Sequence, residues 1–152
     1  MSSTVRWPIA VGLLGLFVLI PRAQTQRDVA ATATHKPVFI TRVYTGPDGQ
    51  THAEETQAAF TEGGVLKLME VTGAELHRMS PSASADWHRG PRRQYVITLS
   101  GTGEMEIAGG QKIPVGPGHI SLIEDTTGKG HITRNFEDRV TLQLPLADQA
   151  GR

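Results

Sequence analysis

Imidazole, amide and carboxylate side chains are concentrated between residues 77 and 131, and their spacing could bring several of them to one site. His88 and Gln94 are six residues apart, so both side chains face the same side if the intervening backbone is extended. His131 would then arrive from a neighbouring strand. Two imidazoles on facing strands suit a divalent first-row metal such as Fe, Mn, Ni or Zn, with open positions for water or substrate. This stretch therefore predicts a centre that binds a metal ion or a small ligand.

Other polar side chains in the same stretch have two interpretations each. Asp125 lies six residues before His131, and it either ligates a metal or orients an imidazole N–H; we favour the orienting role. Arg92 and Arg93 could grip a carboxylate or enolate through bidentate hydrogen bonds, although a salt-bridged strand end explains them equally well. Trp87 could stack on a ligand, but plugging the end of the domain is slightly favoured.

The segment TTGKG, residues 126–130, lies between Asp125 and His131. It lacks the GxxxxGK[ST] order of a phosphate-binding loop. Because Gly128 and Gly130 allow backbone freedom, we interpret it as a mobile lid over the site, with a bulged crossover connection as the alternative.

Composition excludes several classes of function. The chain has 15 Lys and Arg against 15 Asp and Glu, so it lacks the positive field that would hold nucleic acid. It has no cysteine, which excludes disulfides, thiolate nucleophiles and Cys-ligated zinc. Any metal must therefore be held by His, carboxylate or amide oxygen. Nucleophilic hydrolysis has no support, because neither GxSxG nor HExxH occurs.

The N-terminus has the pattern of a targeting segment. Residues 7–20 are almost wholly apolar and follow a short segment with one basic side chain, as in a signal peptide. We predict a signal peptide or N-terminal anchor over residues 1–23 and a polar linker over 24–36. The domain over 37–148 is then expected to be secreted or periplasmic, or anchored to the membrane.

The rest of the chain predicts an all-β domain. Its apolar residues come in short runs enriched in β-branched types and bounded by Gly, Pro, Asp or Ser. Residues 53–60 are predicted as one or two turns of helix. Hairpin turns are predicted at residues 100–103 and 108–110, where glycines tolerate positive φ, so strands over 94–115 should form a meander. The predicted strands span residues 38–44, 65–71, 75–79, 94–100, 104–107, 111–115, 119–123, 131–135 and 140–144.

The stretch 87–134 (WHRGPRRQYVITLSGTGEMEIAGGQKIPVGPGHISLIEDTTGKGHITR) resembles the cupin superfamily, in particular a small single-domain bacterial group with WHxxPRRQ and EDTTGKGH signatures. His88 stands where the second His of the first cupin motif belongs, and Gln94 stands where its Glu belongs. Gly101 follows Gln94 after the six intervening residues of that motif. Residues 117–118 (Pro-Gly) and His131 resemble the turn and the His of the second motif. The chain departs from the family pattern at Asp86, which replaces the first His, and at Gln94.

The resemblance implies a cupin-type jelly-roll β-barrel with a divalent metal ion as cofactor. It assigns His88, Gln94 and His131 as metal ligands. The candidates for the missing ligand are Asp86, Asp125 and His77, and His77 lies on a strand preceding His88 from which it could project inward beside it. Gln94 is neutral, so metal affinity should be weaker than with Glu. His35, His52 and His119 are expected at the surface or in the linker.

The function implied is a metal-dependent enzyme that acts on a small oxygenated organic molecule by dioxygenase, isomerase or lyase chemistry. The alternative is a non-catalytic periplasmic cupin that binds a small ligand, which the weak ligands at Asp86 and Gln94 favour. A homodimer formed by strand exchange, as in cupin relatives, is a further expectation. The remaining site assignments are Arg92 and Asp125 as catalytic residues and Trp87, Arg93 and Gln94 as substrate-binding residues.

Overall fold

The computed structural model describes residues 35–82 and 86–147, and its regular structure there is almost entirely β-strand. The all-β prediction is confirmed. Its physical basis is that runs of β-branched and aromatic residues fit a pleated, half-buried surface. The predicted signal segment and residues 24–34 of the predicted linker lie outside the described residues. Within the described ranges, no helix has the length and apolar character that crossing a membrane requires.

Nine strands and one short 3-10 turn make up the regular structure of the described chain. The strands predicted at 75–79 and 94–100 have the predicted bounds, and most others differ by one residue at one or both ends. In chain order the strands are β1 (Phe39–Thr45), β2 (Thr51–Gln57), β3 (Glu75–Met79), β4 (Gln94–Ser100), β5 (Gly103–Glu106), β6 (Lys112–Val115), β7 (Ile120–Glu124), β8 (Ile132–Asn135) and β9 (Arg139–Pro145).

The strands form two sheets. The larger sheet has the order β2-β1-β7-β4-β9-β3, and the smaller has the order β6-β5-β8. Strands β1 and β7 are parallel, and the other pairs are antiparallel. Strands that are neighbours in the sheets are often far apart in sequence, so side chains from distant parts of the chain meet between the sheets.

The hydrophobic core lies where apolar side chains of the two sheets meet. Val43 on β1 and Ile123 on β7 come from the larger sheet, and Met105 and Val115 come from the smaller one. Along each strand, alternate residues point to the same face. Next to the core residues, the inward faces of the two sheets also carry polar residues, and these form the candidate site.

Two predictions for residues 51–71 are wrong. Residues 53–57, predicted as helix, belong to β2, because the turn at 46–50 pairs Thr45 with Thr51 and aligns the whole hairpin. Pairing with β1 overrides the helical propensity of the sequence AEETQ. Residues 65–71, predicted as a strand, form only an isolated bridge between Val71 and Leu146. Val65 is exposed, so its apolar character marks no buried strand.

The turn predicted at 108–110 is confirmed, because it joins the antiparallel strands β5 and β6. The hairpin predicted at 100–103 is wrong. Strand β4 pairs with β7 and β9, whereas β5 pairs with β6 and β8, so this turn carries the chain from one sheet to the other. Gly101 has φ 73° and packs against the Asp138 carbonyl, which leaves no room for a side chain.

Candidate functional site

A pocket of about 400 Å³ lies between the inward faces of the two sheets. Its volume is in the range of pockets that hold small organic molecules. All four residues that the sequence predicts as metal ligands line this pocket. The polar side chains that line it are His77, His88, Gln94, Thr98, Ser121, His131, Thr133, Asn135, Arg139 and Gln143.

The imidazoles of His88 and His131 are in direct contact in the pocket wall. Their backbones form an antiparallel bridge, with N–H···O distances of 2.9 and 2.8 Å in the two directions. The ring centroids are 4.6 Å apart with an interplanar angle of 61°. The His88 Nδ1–H donates to the Asp86 carbonyl at 3.1 Å, which leaves Nε2 of His88 as the acceptor nitrogen.

Asp125 holds the other imidazole in one orientation. The Nδ1–H of His131 donates to Asp125 Oδ2 at 2.6 Å, and His131 and Asp125 are only 5% and 0% exposed. This fixes the tautomer of His131, so its Nε2 carries the free lone pair. Gly90 packs beside the pair, where a Cβ would lie 3.3 Å from Asp125 Oδ1 and 2.6 Å from the Ile123 side chain. The sequence interpretation of Asp125 as the orienting group agrees with this geometry.

Gln94 is 4% exposed and is oriented by a chain of hydrogen bonds. Arg92 Nε–H donates to Gln94 Oε1 at 3.1 Å, and Arg92 also forms an ion pair with Glu75. Glu75 in turn accepts from His77 Nε2 at 2.9 Å. Hydrogen bonds from His77 and Arg92 lower the pKa of Glu75. Gln94 Oε1 accepts one hydrogen bond from Arg92, so the amide N–H groups of Gln94 can donate to a ligand.

Arg93 and Trp87, predicted as substrate-binding residues, do not line the pocket. Arg93 forms an ion pair with Glu124, with its Nε 3.0 Å from the carboxylate, and Arg42 reaches the same carboxylate at 2.6 Å. Burial raises the pKa of Glu124, but hydrogen bonds from Arg42 and Arg93 outweigh burial and lower it. Trp87 makes a cation–π contact with Lys129, whose ammonium lies 3.9 Å from the ring centroid.

The residues of the pocket do not fit a complete metal centre of imidazole and carboxylate ligands. Across residues 35–82 and 86–147, no group of three or more His, Asp or Glu side chains is placed to hold an ion. Glu75 accepts from His77, Gln94 Oε1 accepts from Arg92, and Asp125 accepts from His131 through Oδ2, while Asp125 Oδ1 is buried without a hydrogen-bond partner among the described residues. The nitrogens left to ligate a metal are Nε2 of His88, Nε2 of His131 and the second ring nitrogen of His77, and in the described chain these are not grouped closely enough to hold one ion.

The chain as a whole matches no family model and no curated protein. The functional assignment therefore depends on the geometry of the pocket.

Three polar residues that line the pocket were not predicted from the sequence. Arg139 and Gln143 on β9, and Asn135 on β8, all line it. The missed signal was alternation: on β9, Arg139, Thr141 and Gln143 occupy every second position between more apolar residues. His119 was expected at the surface, and this is wrong, because it is half-buried.

Proposed function

We propose that this chain is a cupin-type jelly-roll protein whose pocket binds a small oxygenated organic molecule and transfers a proton on it, in an isomerase or lyase type of reaction. Two facing sheets with a polar pocket between them support the jelly-roll assignment. The observation that carries the reaction class is the 2.6 Å hydrogen bond between Asp125 and His131, both buried, at the wall of that pocket.

The proposed step needs only groups of this chain. His131 Nε2 removes a proton from a carbon next to a substrate carbonyl, and the electron pair of the C–H bond moves to the carbonyl oxygen. Asp125 holds His131 in the required tautomer and stabilises the imidazolium that forms. The N–H groups of Gln94 donate to the developing enolate oxygen. The imidazolium then returns the proton to another carbon or to a leaving group.

The test is exchange of substrate carbon-bound hydrogen with D₂O, followed by NMR on small oxo compounds. Asp125→Asn and His131→Gln should each slow exchange by about 10² to 10⁴, the contribution expected of a positioned general base. His52→Gln is the matched control, because His52 lies outside the pocket and pairs with Asp48 at 3.0 Å. Unchanged exchange in both pocket variants would overturn the proposal.

A metal-dependent form of the same enzyme is the second candidate, favoured by the contact between the His88 and His131 rings. Elemental analysis of the purified domain, followed by titration with Fe, Mn, Ni and Zn, separates the two forms. Near-stoichiometric metal that disappears in His88→Ala and His131→Ala, with the β-sheet circular dichroism intact, would replace the metal-free proposal.

The third candidate is a non-catalytic cupin that binds a small ligand. Oriented hydrogen-bonding groups such as Gln94 favour this function as much as catalysis. Saturable binding of oxo compounds without any hydrogen exchange would identify it. Export through the segment 1–23 remains our proposal for localisation, and homodimerisation remains a proposal that size-exclusion chromatography with light scattering would test.

A further inference from the structure

Arg139 is a buried cation in the pocket wall that has no counter-ion in the described part of the chain. It is 5% exposed, and its Nε–H has no hydrogen-bond acceptor there. Burial lowers the pKa of its guanidinium, and no acid of the described residues acts in the opposite direction. Buried charges in proteins are normally paired or hydrogen-bonded, so an unpaired one lining a cavity needs a partner.

The fold aims Arg139 into the pocket. It is the first residue of β9, and Gln143, four residues further on the same face, also lines the pocket. The opposite strand β4 has a bulge between Thr98 and Ser100, where β9 shifts register. Such bulges re-aim side chains next to functional sites.

The nearest acid in sequence is already engaged. Asp138 precedes Arg139 and forms an ion pair with Arg78 on the exposed surface, with 2.8 Å between the Arg78 guanidinium and Asp138 Oδ2. Asn135, which also lines the pocket, has a buried Oδ1 without a hydrogen-bond partner in the described chain. Arg139 and Asn135 therefore both line the pocket with hydrogen-bonding atoms that the described residues leave without a partner.

We infer that the pocket takes a small organic acid, whose carboxylate pairs with Arg139 while its carbonyl end faces His131. Arginine presents two parallel N–H groups that match a carboxylate. Arg139 and His131 both line this pocket, so a molecule bound in it lies against both side chains. This inference deepens the proposed function, on which only the assignment of the carbonyl end rests.

The probes are straight-chain oxo acids of three to eight carbons and the methyl ester of each, which removes the charge and keeps the chain. We expect acids to raise the melting temperature of the wild-type protein and their esters to have a much smaller effect. Arg139→Gln should weaken acid binding at least about thirtyfold, in calorimetric titration, because it removes one partner of a buried charge pair. Arg78→Gln, an exposed arginine on the adjacent strand β3, should bind acids as the wild type does.

Folding of the variant is checked without ligand. Because Arg139 is buried without a counter-ion among the described residues, Arg139→Gln alone should melt at or above the wild-type temperature. A large drop in melting temperature relative to Arg78→Gln would show a structural role and overturn the inference. Equal binding of acid and ester, or no stabilisation by any acid, would overturn it as well. Acid binding that depends on Arg139, without hydrogen exchange at His131, would overturn the proposed proton transfer and leave the anion site standing.

Discussion

His88 and His131 lie against each other because their backbones pair directly, and a glycine next to His131 makes that pairing possible. Gly130 precedes His131 and has φ 79°, a left-handed conformation. A Cβ at Gly130 would overlap the His88 carbonyl oxygen. This carbonyl accepts the N–H of His131, so the position of the second imidazole depends on a residue without a side chain.

Gly130→Ala is therefore expected to lower the free energy of unfolding by about 3 kcal/mol or more, since it combines left-handed strain with a backbone clash. Gly109→Ala is the matched control, because Gly109 has φ 77° but no atom lies within 4 Å of where its Cβ would stand. It should cost about 1 to 2 kcal/mol from strain alone. Urea unfolding of both variants measures the difference. Equal losses would show that the contact with His88 carries no energy.

At the scale of elements, the loop 126–130 is fastened to the turn between β1 and β2. Thr45 Oγ1–H donates to the Thr127 carbonyl at 2.9 Å, and the Lys129 N–H donates to the Gly49 carbonyl at 3.1 Å. Gly128 packs against the same Gly49 carbonyl, 2.5 Å from where a Cβ would stand. These contacts support the crossover interpretation of this segment over the mobile lid.

Amide hydrogen exchange tests that interpretation. The Lys129 amide should be protected in the wild-type protein, and Thr45→Val should speed its exchange about fivefold by removing one hydrogen bond worth about 1 kcal/mol. Thr56→Val, an exposed position on β2, should leave it unchanged. Exchange of Lys129 at the rate of an unstructured peptide would favour the lid instead.

At the scale of the whole molecule, burial of the titratable side chain of His119 makes stability depend on pH. His119 lies next to Thr41 and Ser121, with its ring nitrogens 3.1 and 3.2 Å from their hydroxyl oxygens. Burial lowers the pKa of His119 below its usual 6.5; the charge of Glu55 acts in the opposite direction, and that of Arg139 lowers the pKa further.

The unfolded chain binds a proton at His119 more readily than the folded one. The contribution of neutral His119 to the free energy of unfolding is therefore fully present above pH 6.5 and is lost as pH falls towards the lower folded-state pKa. His119→Gln should flatten the dependence of unfolding free energy on pH in the interval just below about 6.5. His52→Gln, at the exposed pair with Asp48, serves as the control. The prediction fails if the wild type and His119→Gln have parallel pH profiles in that interval.

Local pattern was sufficient for the class of fold and for part of the site. A run of β-branched residues that ends before Gly101 defines strand β4 without any knowledge of its partners, because strand patterning depends on neighbours in sequence. Asp125 does lie beside His131 in the structure. His88 and Gln94 both line the pocket, but residues 91–93 between them form a bend, so the extended backbone assumed for their even spacing is not present.

Only the tertiary structure decided which polar residues share the pocket and which are consumed elsewhere. Arg93 is a neighbour of Gln94 in sequence but pairs with Glu124, whereas Arg139 is far away in sequence and lines the same cavity as Gln94. The physical reason is that sheet order and register place residues from distant segments together, through hydrogen bonds between strands whose partners no local pattern specifies. Sequence alone identified strands and the pairing of residues that are close in sequence. That Arg139 is buried without a counter-ion in the described chain follows only from the residues that surround it in the fold.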